Sequence, residues 1–247
     1  AATAAVLFPA PLPTATLTPT PVARGDDAAA IARLLDAMQI AVLAQDAEAY
    51  LALIDRSDPV FALEQARWVE DWDSGQAAVT RFSLGVRNLT IDGDQATGDL
   101  TMAWTVLAGE GVSRGADFRV RFIRAADGRW RYVGEAWTTL DGQGVRVRVA
   151  PGQEAIGEAV AAMMPGVTAH VTASLGFSPV DPVEIKLYDN PWSMIATIRL
   201  SLLNRISGWN EPGEALKLLA EDIPAEAALA HELTTTSCSR LPGRREG

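Results

Sequence analysis

Cysteine is almost absent. Cys238 is the only one in 247 residues, so the chain has no internal disulfide framework and no cysteine-rich zinc ribbon, although this leaves the compartment open. Histidine is nearly as scarce and is confined to His170 and His231. Positive charge is in deficit too. The 21 Lys and Arg against 31 Asp and Glu give a net charge of -10, which repels a polyanion at long range and argues against nucleic acid or an anionic membrane as partner.

Long apolar runs are also missing at the start, where Ala1 to Phe8 is mostly apolar but far shorter than a membrane span. Pro9, Pro11, Pro13, Pro19 and Pro21 then alternate with threonines, and no charge precedes Arg24. Such a stretch stays extended and builds no core. Residues 1–25 are therefore expected to be a linker. Because the chain opens on Ala1 rather than Met, a removed signal peptide or lipoprotein anchor is expected upstream, with the protein extracellular or cell-envelope associated and tethered through that missing segment.

Apolar residues make up 48% of the chain, enough for two modest cores, and two domains are expected. From Asp26, the residues Ile31, Leu34, Leu35, Met38, Val42 and Leu43 recur at helical spacing. Asp46 is placed to cap a short second helix, and Asp58-Pro59 opens a third that runs to about Trp72. Four strands follow, Val79 to Ile91, Gln95 to Leu107, Ser113 to Arg124 and Trp130 to Leu140, separated by turns at Asp92-Gly93-Asp94, Gly109 to Gly111 and Ala126-Asp127-Gly128. In the last strand Trp130, Tyr132 and Gly134 alternate with Arg131, Val133 and Glu135, giving one face to the core and one to water.

Helices followed by long bent strands, ending in the Gly-Arg-Trp-Arg-Tyr-Val run from Gly128 to Val133, resemble the cone-shaped NTF2-like superfamily over residues 26–142. The resemblance implies a fold of three helices on a curved antiparallel sheet, used in that superfamily as a ligand pocket, an isomerase site or a scaffold. Trp68, Trp72, Trp104 and Trp137 either line such a pocket or pack as core aromatics, and Glu70, Asp71 and Asp73 read as a solvated helix end rather than an acid/base pair.

A second unit begins after Gly142 with the alternating strand Val145 to Val149. A helix carrying Ile156, Val160, Met163 and Met164 is expected to break at Pro165-Gly166 and resume to Leu175; Val183 to Leu187 is the next strand. Asn190-Pro191 caps a helix with Met194, Ile195, Ile198 and Leu202, Gly213 to Leu219 is a candidate strand, and Pro224 starts a last helix, Ala225 to about Thr235.

That last helix carries His231-Glu232-Leu233-Thr234-Thr235. In an H-E-x-x-H helix two histidines one turn apart bind zinc from one face while the glutamate polarises the attacking water. Ala-His-Glu-Leu-Thr on an alanine-rich helix, preceded by strand, helix and strand and by Trp209 to Glu214, resembles the peptidase MA-like gluzincin domains over residues 143–233. The resemblance implies an α+β subdomain, His231 as a zinc ligand, Glu232 as general base, a substrate-lining segment at Gly213, Glu214 and Ala215, and a peptide or protein substrate.

Thr235 stands where the second histidine belongs, and too few residues follow to return a third ligand. His170 sits on another helix, and Glu246 lies at a tail end that would lose ordering entropy on coordinating. The expectation is a metallopeptidase relative, inactive as written, that holds no zinc stably. Residues 234–247 read as a non-homologous tail: ACC CAC CAC GTC, Thr-His-His-Val, with one C deleted reads Thr-Thr-Thr followed by a serine codon, as at Thr234 to Ser237. Local fraying is expected from Ala225 onward. The alternative is an exported, non-catalytic protein that binds a ligand or partner in the NTF2-like cone.

Overall fold

A computed structural model describes residues 24–75, 78–107, 111–176, 182–220 and 226–238. The proline- and threonine-rich stretch up to residue 23, the turn at Gly109, Pro224, and the tail from Ser239 with Glu246 lie outside the described residues.

Helix α1 (Arg24–Ala44) buries Ile31, Leu34, Leu35, Met38 and Val42 on one stripe, while Leu43 falls off that stripe and is exposed. Asp46 accepts from the Ala49 amide at 2.9 Å to start α2 (Ala47–Leu51). Asp58 accepts from the amides of Val60 and Phe61 at 3.0 and 3.3 Å to start α3 (Pro59–Asp73), with Pro59 at its first position. The helices pack on an antiparallel sheet of β1 (Val79–Asp92), β2 (Gln95–Val106), β3 (Val112–Arg124) and β4 (Trp130–Glu135) in sequential order. In β2 the buried residues Ala96, Leu100, Met102, Trp104 and Val106 recur with the strand period of two. The first unit is thus α+β.

The strand read as Trp130 to Leu140 is in fact two. After Glu135 the chain leaves the first sheet, and β5 (Thr138–Gly142) pairs with β6 (Val145–Val149) in a second one. That sheet continues with β7 (Val183–Tyr188), β8 (Gly208–Trp209) and β9 (Leu216–Leu219) in the order β5-β6-β7-β9-β8, with β6, β7 and β9 parallel. Helix α4 (Glu154–Leu175) makes the crossover from β6 to β7, as parallel strands require. One face of this sheet presents Val145, Val147, Val149, Ile185, Leu187, Leu216 and Leu218 to α4 and to α6 (Glu226–Cys238). By the strand period, Arg146, Arg148, Glu184, Lys186, Tyr188 and Lys217 face the other way, towards the first unit.

Three expectations are corrected here. Helix α4 does not break at Pro165; it runs through it. Burial of Val160, Met164, Val167 and Val171, at about 1.5–3 kcal/mol for each large side chain, outweighs the roughly 3 kcal/mol that a mid-helix proline costs. The helix capped by Asn190, α5 (Pro191–Ala196), stops well short of Leu202. Helix α6 continues to Cys238, and Leu229 and Leu233 are buried in the cluster that α4 shares, so its apolar side is covered.

The two units are joined by α5 and the residues after it. Ala196 and Leu200 are part of the first unit's core. The indole nitrogens of Trp68 and Trp104 donate to the carbonyls of Ala196 at 2.9 Å and Leu200 at 3.1 Å, and the Asp71 carboxylate accepts from the Ser201 amide at 2.9 Å and from its hydroxyl. Asp71 is therefore a buried acceptor rather than a solvated helix end.

Candidate functional site

An irregularity in β4 creates the most chemically distinctive side chain of the molecule. Arg121 pairs with Gly134 but Phe122 pairs with Tyr132, so Val133 is an extra residue, a β-bulge. Gly134 takes φ 87°, and a Cβ on it would stand 2.6 Å from Cε2 of Phe61 on α3. The bulge resets the alternation, so Glu135, which simple alternation points to water, is 9% exposed and turned inward. The Tyr188 hydroxyl donates to Glu135 Oε1 at 2.7 Å and lies 3.0 Å from Thr197 Oγ1. Burial pushes the Tyr188, Tyr132 and Tyr50 phenols far up, and the Glu135 charge pushes them further, so Tyr188 is a neutral donor to a carboxylate.

Glu135 lies where the two sheets meet. On one side is a cleft of about 510 Å³ walled by Phe118, Trp137, Tyr188 and Ser193 and floored by Ala150 and Pro151. It opens beyond the carboxyl ends of β6 and β7, where parallel sheets place ligands. The Trp137 ring stands perpendicular to that of Tyr188, with centroids 5.2 Å apart. A smaller pocket of about 200 Å³ shares Glu135 and Trp137 and adds Asp58, Arg148 and Lys186. Inside the first unit, by contrast, the pocket among Tyr50, Trp68, Phe82 and their neighbours holds about 20 Å³, room for one water.

Behind this site the units are held by buried charge. Lys186 and Lys217 are 1% and 0% exposed and both approach Glu64, itself 3% exposed, Lys186 as a hydrogen-bonded pair and Lys217 at 3.7 Å. The Ala215 amide donates to the same carboxylate at 3.3 Å, and Lys217 donates to the Thr197 carbonyl at 3.0 Å. Burial alone would raise the Glu64 pKa, but the two ammonium groups and the Ala215 N–H outweigh it and hold the carboxyl below its ordinary range. Burial would lower that of Lys186, and Glu64 and then Glu135 outweigh it in turn.

The sequence candidates are distributed differently from expectation. Trp68, Trp72 and Trp104 are core residues at 2%, 0% and 1% exposure, whereas Trp137 is half-buried in the cleft wall. Gly213, with φ 88°, packs against Leu63. Glu214 pairs with Arg67 at 2.8 Å, and Ala215 is buried beside Glu64. All three sit at the joint with α3. Strand β9, which continues from this segment, is flanked by β7 and β8 and so is not at a sheet edge.

The zinc-peptidase reading is overturned. Among the described residues no group of three His, Cys, Asp or Glu side chains could hold a metal ion. His231 is exposed on α6, and the Glu232 carboxyl carbon lies 3.4 Å from where a Cβ on Gly208 would stand, against β8 rather than over a ligand set. The Asn210 side chain donates to the Glu232 carbonyl at 2.8 Å, tying this turn of the helix to the chain just after β8. The motif resembles half of a metal site in sequence only; among the described residues no further ligand joins it.

No protein-family model and no curated protein matches the sequence. Solved structures are similar over part of it. A protein of unknown function from Mycobacterium tuberculosis is 19% identical, covering 44% of this chain and 74% of its own, with a TM-score of 0.35. An NTF2-like protein of unknown function from Shewanella oneidensis is 12% identical over 43% of this chain and 94% of its own, TM-score 0.36. An NTF2-like superfamily protein from Salmonella enterica is 14% identical over 49% of this chain and 99% of its own, TM-score 0.34. Each likeness spans less than half of the present chain.

Two features of the site went unread in the sequence although both left a signal. A glycine within a strand marks a bulge, and Gly134 does so here. The chain has only two lysines among its 21 basic residues, and an arginine-rich chain that keeps two lysines has reason to place them specially.

Proposed function

We propose that this chain is a non-catalytic binding protein that holds a small molecule in the cleft between its two sheets, around Glu135, Trp137 and Tyr188. In this reading the first unit is an NTF2-like cone used as a scaffold: its interior is closed by the chain's own residues around Ala196 and Leu200, so the ligand sits outside it, against the second sheet. The supporting observation is the cleft itself. Its 510 Å³ falls within the range of small-molecule sites, it is walled by aromatics, and it offers one nearly buried carboxylate. The proline- and threonine-rich N-terminal stretch suits a tether, and export belongs to the same proposal.

A fragment library of mixed charge, screened by the chemical shift of the Trp137 indole N–H, tests this reading. The Trp137→Phe variant identifies that resonance. At least one fragment is expected to shift it saturably. If fragments bind only elsewhere, or none moves the Trp137 signal, the cleft is not a binding site.

A further inference from the structure

From the chemistry of the cleft walls we infer that its ligand is an organic ammonium ion with an apolar body; the inference rests on the binding reading above. Trp137 and Tyr188 form a right-angled aromatic corner with centroids 5.2 Å apart, and Phe118 adds a third aromatic side chain to the wall. An aromatic face attracts a cation through its quadrupole, best of all that of a tryptophan. Three carboxylates line the same cleft: Asp117, Glu135 and Asp189. Glu135 uses Oε1 to accept from Tyr188, and among the described residues Oε2 takes no hydrogen bond although the side chain is more than nine-tenths buried.

The positive groups nearby already have carboxylate partners: Arg87 approaches Asp117 at 4.0 Å, and Lys186, bound to Glu64, shares the smaller pocket with Glu135. Arg119, the one cation lining the cleft among the described residues, pairs with Asp99 at 3.2 Å. An anion entering the cleft therefore meets the Glu135 and Asp189 carboxylates, and a neutral molecule offers Glu135 at most a hydrogen bond and no countercharge. An ammonium ion satisfies the carboxylate and the rings together, while its apolar body takes the floor at Ala150 and Pro151.

Calorimetric titration of the whole chain with benzylammonium, benzyl alcohol and phenylacetate tests the assignment. The cation is expected to bind saturably, with the neutral and anionic probes at least about tenfold weaker, and Trp137→Leu and Glu135→Gln each weakening the cation by about tenfold. Should Glu135→Gln fail to fold, Asp189→Asn, at an exposed position, carries the test, with a smaller loss that shrinks further as salt is raised. Benzyl alcohol or phenylacetate binding as tightly as the cation, with the same dependence on Trp137, overturns the ammonium assignment and leaves the binding reading standing. Failure of all three probes also overturns it, and the fragment screen then decides the binding reading independently.

Discussion

Glu64→Gln removes the anion on which the chain's two lysines converge and leaves two ammonium groups, 1% and 0% exposed, in the joint between the units. Breaking one buried ion pair by deleting a partner costs about 3–5 kcal/mol, because the orphaned charge stays desolvated. Lys217 keeps the Thr197 carbonyl, so the loss falls mainly on Lys186, and about 3–5 kcal/mol is the expected total. Urea unfolding followed by far-ultraviolet circular dichroism measures it, and the variant's midpoint temperature drops by roughly 10 °C for a domain of this size. The triple variant Glu64→Leu, Lys186→Met, Lys217→Met removes every charge of the cluster and recovers most of the loss.

The pH dependence has a fixed sign. The carboxyl of Glu64 is held below its ordinary 4.5, so the stability it contributes is present above 4.5 and is lost as pH falls through the lower folded value; Glu64→Gln abolishes this acid loss. Lys186 is held above its ordinary 10.5, so its contribution is complete below 10.5 and disappears only as pH rises beyond it. A Glu64→Gln protein that unfolds within about 1 kcal/mol of wild type, with an unchanged acid limb, would refute the view that buried charge locks the units together.

Other perturbations test the remaining steps. Gly134→Ala places a Cβ 2.6 Å from Phe61 at φ 87°, and about 1–3 kcal/mol of backbone strain plus about 1–3 kcal/mol of overpacking is expected in urea unfolding; a loss under about 1 kcal/mol would show that the bulge is not required. Pro165→Ala, at an exposed position within α4, restores an intrahelical donor and is expected to raise stability by up to about 3 kcal/mol; no gain would mean that the helix has adapted fully to its proline. Equilibrium dialysis against zinc is expected to leave the chain without stoichiometric metal. Bound zinc that disappears in His231→Ala would restore the metal centre at α6.

Much of the first unit was legible because its signals are local. Asp46 and Asp58 cap their helices as their residue types require, β2 and β3 follow the period-two pattern between turn residues while β1 shifts it between Arg87 and Thr90, and β6 and β7 lie where their alternation predicts. The site was not legible, and the reasons are specific. Glu135 points inward only because the bulge at Gly134 shifts the strand by one residue, a displacement set by Phe61 of another element. Trp130 to Leu140 splits between two sheets because Thr138 to Gly142 finds a better partner in β6, which no local pattern records.

His231 and Glu232 show the reverse error. Their spacing was read as half of a zinc site, but ligation is decided by which side chains converge in space, and among the described residues none converge there. The sequence by itself determined most elements of the first unit, the caps at Asp46, Asp58 and Asn190 and the apolar stripes of α1 and β6, since these depend on neighbours within a few residues. Only the tertiary structure decided that Lys186, Lys217 and Glu64 meet, that Ala196 and Leu200 enter the core of the first unit, and that a cleft opens beside Glu135. Each of these depends on contacts between residues far apart in the chain, whose pairing is chosen by packing and charge compensation across the joint rather than by local propensity.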